Sequence, residues 1–201
     1  MPSQPNQSNG ATSNETNATS TQVSNGYVQS GTFQASSVPS IVGLSIVPVK
    51  VKAKGQDNKV LTYAFLDSGS NTSFCTEALL RKLDAKGMKT TLSLTTMQTT
   101  NEAIECSLAN LEVSDLSDHN VIELPMVYSR PSLPISTNAL GTQEDVNRWP
   151  HLRGITVPNI EAEIGLLIGS DVPQVLQPVE MRECKNGGPF ATRTYRSWMD
   201  A

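Results

Sequence analysis

The sequence predicts a mainly β fold with one or two short helices, joined to a disordered N-terminal tail. Apolar and β-branched residues alternate with polar ones in several runs bounded by Gly, Asn and Pro, the pattern of half-buried strands. Helix-start signals stand out at two places, Thr76 ahead of Leu79, Leu80 and Leu83, and Thr142 ahead of Asp145. Met1 to about Ser40 is Asn, Ser, Thr, Gln and Gly with almost no aliphatic residues, so it cannot bury enough apolar surface to offset chain entropy. Residues 1–39 are therefore expected to be a disordered Asn/Ser/Thr-rich linker, 40–194 the folded domain and 195–201 an atypical C-terminal tail.

In chain order, Ile41 to Val51 reads as the first strand and Val60 to Leu66 as its hairpin partner across Gly55-Gln56-Asp57-Asn58. Val60, Thr62, Tyr63, Phe65 and Leu66 are the types that suit a half-buried pleated surface. The strand runs straight into Asp67-Ser68-Gly69-Ser70, where Gly69 lets the backbone turn sharply. Thr76 then caps a short helix whose apolar side is Leu79, Leu80 and Leu83.

Thr91 to Asn101 runs out to a polar tip near Met97, Gln98, Thr99 and Thr100, and Ile104 to Val113 returns with the same alternation. The two arms make a long β-hairpin. Val121 to Tyr128 is a further strand entering the turn Arg130-Pro131-Ser132-Leu133-Pro134, and the Thr142 cap opens a short helix reaching Arg148 or Trp149. Trp149 and His151 beside Pro150 read as packing residues. Ile164 to Ile168 is a last apolar strand, ending in Gly169-Ser170-Asp171.

Asp-Ser-Gly by itself is an ordinary turn, since all three residues favour turns and the polar side chains bond nearby backbone. A phosphorylation-dependent recognition segment would need exposed, disordered flanks, whereas an apolar strand precedes this one. The late Gly165-Leu166-Leu167-Ile168-Gly169 strand narrows the choice. Retroviral-type aspartic peptidases carry this pair in this order, an early Asp-Thr/Ser-Gly strand and a late hydrophobic-hydrophobic-Gly strand that buttresses it.

From about Ile41 to Thr194 the chain resembles the aspartic peptidase domain of Pao (BEL) retrotransposon polyproteins, a retropepsin relative. The resemblance lies in Phe65-Leu66-Asp67-Ser68-Gly69-Ser70-Asn71-Thr72-Ser73-Phe74, Trp149-Pro150-His151-Leu152-Arg153-Gly154, Gly165-Leu166-Leu167-Ile168-Gly169-Ser170-Asp171 and Gly187-Gly188-Pro189-Phe190-Ala191-Thr192-Arg193-Thr194. It implies a retropepsin-like closed β-barrel half. It makes Asp67 the catalytic residue and Ser68, Gly69 and Ser70 the active-site loop, with Ser70 bonded to the outer oxygen of Asp67. Met97, Gln98, Thr99 and Thr100 become the tip of a substrate-binding flap, and Leu167, Ile168, Gly169 and Asp171 structural support. Family members continue into Leu-Gly-Trp, whereas Tyr195 to Ala201 departs, as expected of an excised or frame-shifted piece of a mobile-element polyprotein.

Peptide hydrolysis needs a base to deprotonate water and an acid to protonate the carbonyl oxygen. Two carboxylates about 3 Å apart cannot both ionise readily, so they share a proton and supply both roles. The chain has one Asp-Ser-Gly. The resemblance therefore implies a C2 homodimer that pairs Asp67 with its symmetry mate across an extended peptide or polyprotein substrate.

Other classes fit less well. Fifteen Lys and Arg against nineteen Asp and Glu, with a single small basic cluster at Lys50-Val51-Lys52-Ala53-Lys54, give no nucleic-acid footprint. No run approaches the roughly 20 apolar residues of a membrane span, and no charged-then-apolar leader opens the chain. Cys75, Cys106 and Cys184 are odd in number and in no metal-ligand spacing, so no metal or other cofactor is expected and an intracellular, cytoplasmic setting fits. Without that leader, the Asn-x-Ser/Thr matches of the tail are composition, not glycosylation sites. An inactive peptidase-fold relic that dimerises or binds peptides is the alternative, and a bacterial-style or ubiquitin-linked retropepsin relative is opposed by the Trp149 to Gly154 block.

Overall fold

The computed structural model describes residues 23–24, 44–96, 100–183 and 189–194. Its first strand, β1 (Val23–Ser24), is followed by β2 (Ile46–Ala53), β3 (Lys59–Leu66), β4 (Ser73–Thr76), α1 (Glu77–Lys82), β5 (Met88–Thr95), β6 (Glu102–Ser114) and β7 (Ile122–Arg130). Then come α2 (Gln143–Asn147), β8 (Ile164–Ile168), α3 (Pro173–Leu176), β9 (Glu180–Arg182) and β10 (Ala191–Arg193), with 3-10 turns at Thr137–Ala139 and Pro150–Leu152. The first-strand expectation holds from Ile46 onward; Ile41 to Gly43 lie outside the described residues.

Hydrogen-bonded neighbours run β1-β5-β6-β2-β3-β8-β4-β7, and β7 pairs back onto β6. The ring β6-β2-β3-β8-β4-β7 is thus a closed six-stranded barrel, the mainly β class read from the sequence, with β5 and β1 carried outside it. Closure leaves the ring strands without a free edge. Short helices number three among the described residues, one more than expected, because Val172-Pro173 starts a single extra turn.

The alternation in the sequence is used on two faces. Val49, Val51, Ala64, Leu66, Leu111, Val113, Leu166 and Ile168 fill the barrel together with Leu79, Leu80 and Leu83 of α1 and its C-cap. Tyr63, Phe74, Leu92, Leu94, Cys106, Ile164 and Leu167 form a second cluster with Leu133. β8 is buried at all five positions, as expected for a strand between two neighbours and between two apolar clusters. A register shift opposite Tyr63/Ala64 sends Ile164 and Leu167 to one cluster and Leu166 and Ile168 to the other. Gly165 sits at that shift: its N–H donates to Thr62 Oγ1 (3.0 Å), and a Cβ there would lie 2.6 Å from the same oxygen.

Thr76 caps α1 as expected, accepting from Leu79 N–H at 3.1 Å. The residues just before it form a strand, β4, antiparallel to β8 and parallel to β7. Pro125 is tolerated in β7 because the β6–β7 register shifts between Ala109 and Leu111, leaving Pro125 and Met126 exposed. Thr142 and Asp145 form the expected capping box of α2.

Lys50 and Lys52 of β2 and Lys54 just past its end are each ion-paired. Lys50 and Lys59 both hold Asp118, Lys52 holds Glu112, and Lys54 holds Glu123. Glu112 and Glu123 are directly opposed across β6 and β7, so the lysines offset a like-charge pair. Among the described residues no helix is long and apolar enough to cross a membrane. Of the 1–39 linker, only Val23–Ser24 is described, paired in parallel with Leu94–Thr95 of β5; the tail at 195–201 lies outside the described residues.

Candidate active site

The site is built where β3 ends. Asp67 follows Leu66, and its N–H donates to Ile168 O at 2.9 Å, so the end of β8 fixes the backbone that carries the carboxylate. Ser70 N–H closes the turn on Asp67 O (3.2 Å), and Gly69 N–H donates to Asp67 Oδ1 at 2.9 Å. Ser68 and Gly69 are exposed, Asp67 is partly exposed and Ser70 is buried.

Burial holds the Asp67 carboxyl above the usual aspartate range, against the backbone N–H groups of Gly69 and Ser70, which pull it down. Among the described residues no neighbouring charge contributes to that shift. A partly buried carboxyl that keeps a proton more readily than an exposed one, in an otherwise exposed turn, is suited to proton transfer.

The Ser70 hydroxyl does not bond to Asp67 as expected. It donates to Thr72 O at 2.6 Å and accepts from Thr72 N–H at 3.3 Å. The reason is the loop's own demand: Ser70 is buried, so its hydroxyl needs a partner, and the Thr72 carbonyl two residues on accepts from it. Asp67 is held by backbone donors instead.

The support strand behaves as expected from Leu167, Ile168 and Gly169. Leu167 and Ile168 are fully buried, and Gly169 lies so close to the loop that a Cβ would stand 2.7 Å from Thr72 O and 2.8 Å from Ser70 O. Only a glycine admits that approach. Ser170 donates to Ser70 O twice, from its N–H (2.7 Å) and its hydroxyl (2.9 Å).

Asp171 is an anchor. Its Oδ1 accepts from Ser73 Oγ (2.8 Å) and its Oδ2 from Ser73 N–H (3.0 Å), while Ser73 Oγ accepts from Gly169 N–H (3.1 Å). It does not cap α3, whose N-cap is Val172 without a side-chain bond. Ser73 was missed in the sequence, where nothing separates it from the other hydroxyls of the Ser70 to Thr76 stretch.

The hairpin expected to carry the flap is present, with β5 and β6 paired from Met88/Leu108 to Leu94/Glu102. Near its end, Asn101 N–H donates to Thr95 Oγ1 at 3.2 Å. Of the flap-tip residues, Met97, Gln98 and Thr99 lie outside the described residues, and Thr100 is exposed in a bend.

Cys75 and His151 are placed away from a catalytic role. Burial pushes the Cys75 thiol up to about 12, which removes it as a nucleophile at neutral pH. His151 Nε2 meets Pro189 O at 2.9 Å and its ring lies edge-on to Trp149, but Trp149 is exposed and not packed as expected. Among the described residues no group of three or more His, Cys, Asp or Glu is placed to hold a metal ion. No protein-family model, curated protein or solved structure matches the chain.

Proposed function

We propose that the chain is an aspartic endopeptidase of the Pao (BEL) retrotransposon type that cleaves its parent polyprotein. Asp67 of each subunit supplies one half of a carboxylate pair across the two-fold axis of a homodimer, and the pair activates water against an extended peptide. Its setting in this proposal is intracellular, in the cytoplasm, and it contacts neither nucleic acid nor membrane directly.

The observation that carries the proposal is the Asp67 turn itself. It places a partly buried carboxyl at a barrel strand end, the carboxylate accepting from Gly69 N–H and the Asp67 backbone N–H donating to the Ile168 carbonyl, with exposed Ser68 and Gly69 beside it. Burial raises the proton affinity of a lone Asp67, and bringing two such groups together raises one of them further, which makes it the acid while the other is the base.

The test is cleavage of a purified parent-polyprotein segment, with and without a pepstatin-class inhibitor, over a dilution series. Inhibitor-sensitive cleavage whose specific activity rises with protein concentration is expected, and excess Asp67→Asn chain should suppress it through heterodimers. Specific activity unchanged over several decades of dilution in a monomer would exclude the two-subunit site. No cleavage by a dimer would favour the relic that binds peptides without cutting them.

A further inference from the structure

We infer that the groove between α1 and the adjoining parts of β5, β6 and β7 binds a small zwitterion with an apolar side chain, the chemistry of a free α-amino acid or a short unblocked peptide. The groove has a volume of about 360 Å³, within the roughly 300–1,000 Å³ of small-ligand clefts. Its floor is polar where the barrel would otherwise continue apolar. Ala109 and Val127 lie in the barrel core, and the next positions on the same strand faces are Ser107 and Ser129, which line the groove. Ser129 is only 3% exposed, and its Oγ accepts from Ser107 N–H at 2.8 Å. Among the described residues the Ser129 hydroxyl proton has no acceptor, so the floor offers a buried donor to whatever occupies the groove.

The walls define the ligand's charges. Glu77 and Arg81 share one face of α1, and Asp84 follows the helix in the left-handed conformation (φ 51°) with its N–H on Arg81 O. Lys89 stands opposite them at the start of β5. Among the described residues none of these four is in a salt bridge, in contrast to Lys50 and Lys52 of β2. A simple anion would meet Glu77 and Asp84, and a simple cation would meet Arg81 and Lys89. A molecule carrying both signs offsets both pairs. Its carboxylate fits Arg81, Lys89 and the Ser129 hydroxyl, its ammonium fits Glu77 and Asp84, and its side chain has Leu80 to lie against. Gly87 closes one end: a Cβ there would stand 2.7 Å from Ser107 Cβ, so the turn entering β5 is seated directly on β6. No residue of the Asp67 turn lines this groove, and the inference does not depend on Asp67 being catalytic.

The test titrates the full chain with L-leucine, with N-acetyl-L-leucine, which lacks the ammonium, and with L-leucinamide, which lacks the carboxylate, following backbone amide signals by NMR. Leucine should shift the amides of Gly87, Lys89, Ser107 and Ser129 saturably. Each capped form should bind at least about fivefold more weakly, the loss expected for one partly exposed ion pair. Two conservative variants at exposed positions then separate the ligand's ends. Lys89→Gln should weaken leucine and leave leucinamide unchanged, while Asp84→Asn, where Asn tolerates the left-handed backbone, should weaken leucine and leave N-acetyl-leucine unchanged. Leucylleucine distinguishes the sources: binding tighter than leucine makes a short peptide the ligand, and weaker binding the free amino acid. No saturable shift with leucine, equal binding of the capped forms, or shifts that map away from the groove would each overturn the inference.

Discussion

Asp67 and Asp171 follow adjacent parallel strands, β3 and β8, each near a glycine and a serine, yet their surroundings differ. Asp171 has each carboxylate oxygen bonded to a donor of Ser73. Asp67 has one oxygen on Gly69 N–H, lies in a turn whose next two residues are exposed, and is held above the usual aspartate range by burial. A carboxylate whose two oxygens are both tied to one distant residue is a fastener, whereas a partly buried one held only by the backbone of its own turn keeps its proton more readily. Residue order separates the two, Asp67 ahead of Ser-Gly and Asp171 after Gly-Ser, and the destination of their lone pairs separates them again.

The comparison breaks most sharply at Gly169, on which both loops depend. Gly169→Ala should destabilise by about 2–3 kcal/mol, because its Cβ meets the backbone of Ser70 and Thr72, which cannot swing away as a flexible side chain could. A denaturant midpoint within error of the unaltered chain would show that the two loops are not clamped through this glycine.

Asp171→Ala should cost less, about 1–2 kcal/mol, since Asp171 is exposed and water can replace part of what Ser73 loses. Thr76→Ala removes the α1 cap and should cost about 1 kcal/mol. Both are read from chemical denaturation, and a cost for Asp171→Ala below that of an exposed-surface substitution would remove its anchoring role.

Smallest is the stability effect of Asp67→Asn, and its sign depends on pH. Burial holds the folded carboxyl of Asp67 above the ordinary aspartate value, so its stabilising contribution is full below that ordinary value and lost as pH rises through the raised one. Relative to the unaltered chain, Asp67→Asn should therefore gain slightly at neutral pH and lose that advantage in acid. Asp118 runs the other way: Lys50 and Lys59 hold it down to about 2, so its contribution is present above 3.8 and lost as pH falls toward 2. Melting temperatures of both Asn variants across pH 2–7 check the opposite signs.

Much of this was legible in the residues. The β3 strand, its turn at Asp67, the Thr76 cap and the β5–β6 hairpin follow from period-2 alternation and capping chemistry, which act within a few residues. β4 was not legible, because Ser73-Phe74-Cys75-Thr76 is too short to show alternation and is a strand only because β7 and β8 flank it. The same limit applies to the site. The resemblance placed Asp67 and Gly169 together, but the hydroxyl partners of Ser70 and Ser73 are set by competition among nearby carbonyls and carboxylates, which a sequence does not rank. β1 was hidden in a tail whose composition offers no periodicity.

The most direct test of the division of labour between the two aspartates is cleavage per folded molecule, measured with melting temperature on the same preparations of Asp67→Asn and Asp171→Asn. The expected result is a crossed pattern: Asp67→Asn keeps its melting temperature and loses cleavage, while Asp171→Asn melts lower and keeps cleavage per folded dimer. Retained cleavage in Asp67→Asn, or its loss in Asp171→Asn at unchanged melting temperature, would contradict the account.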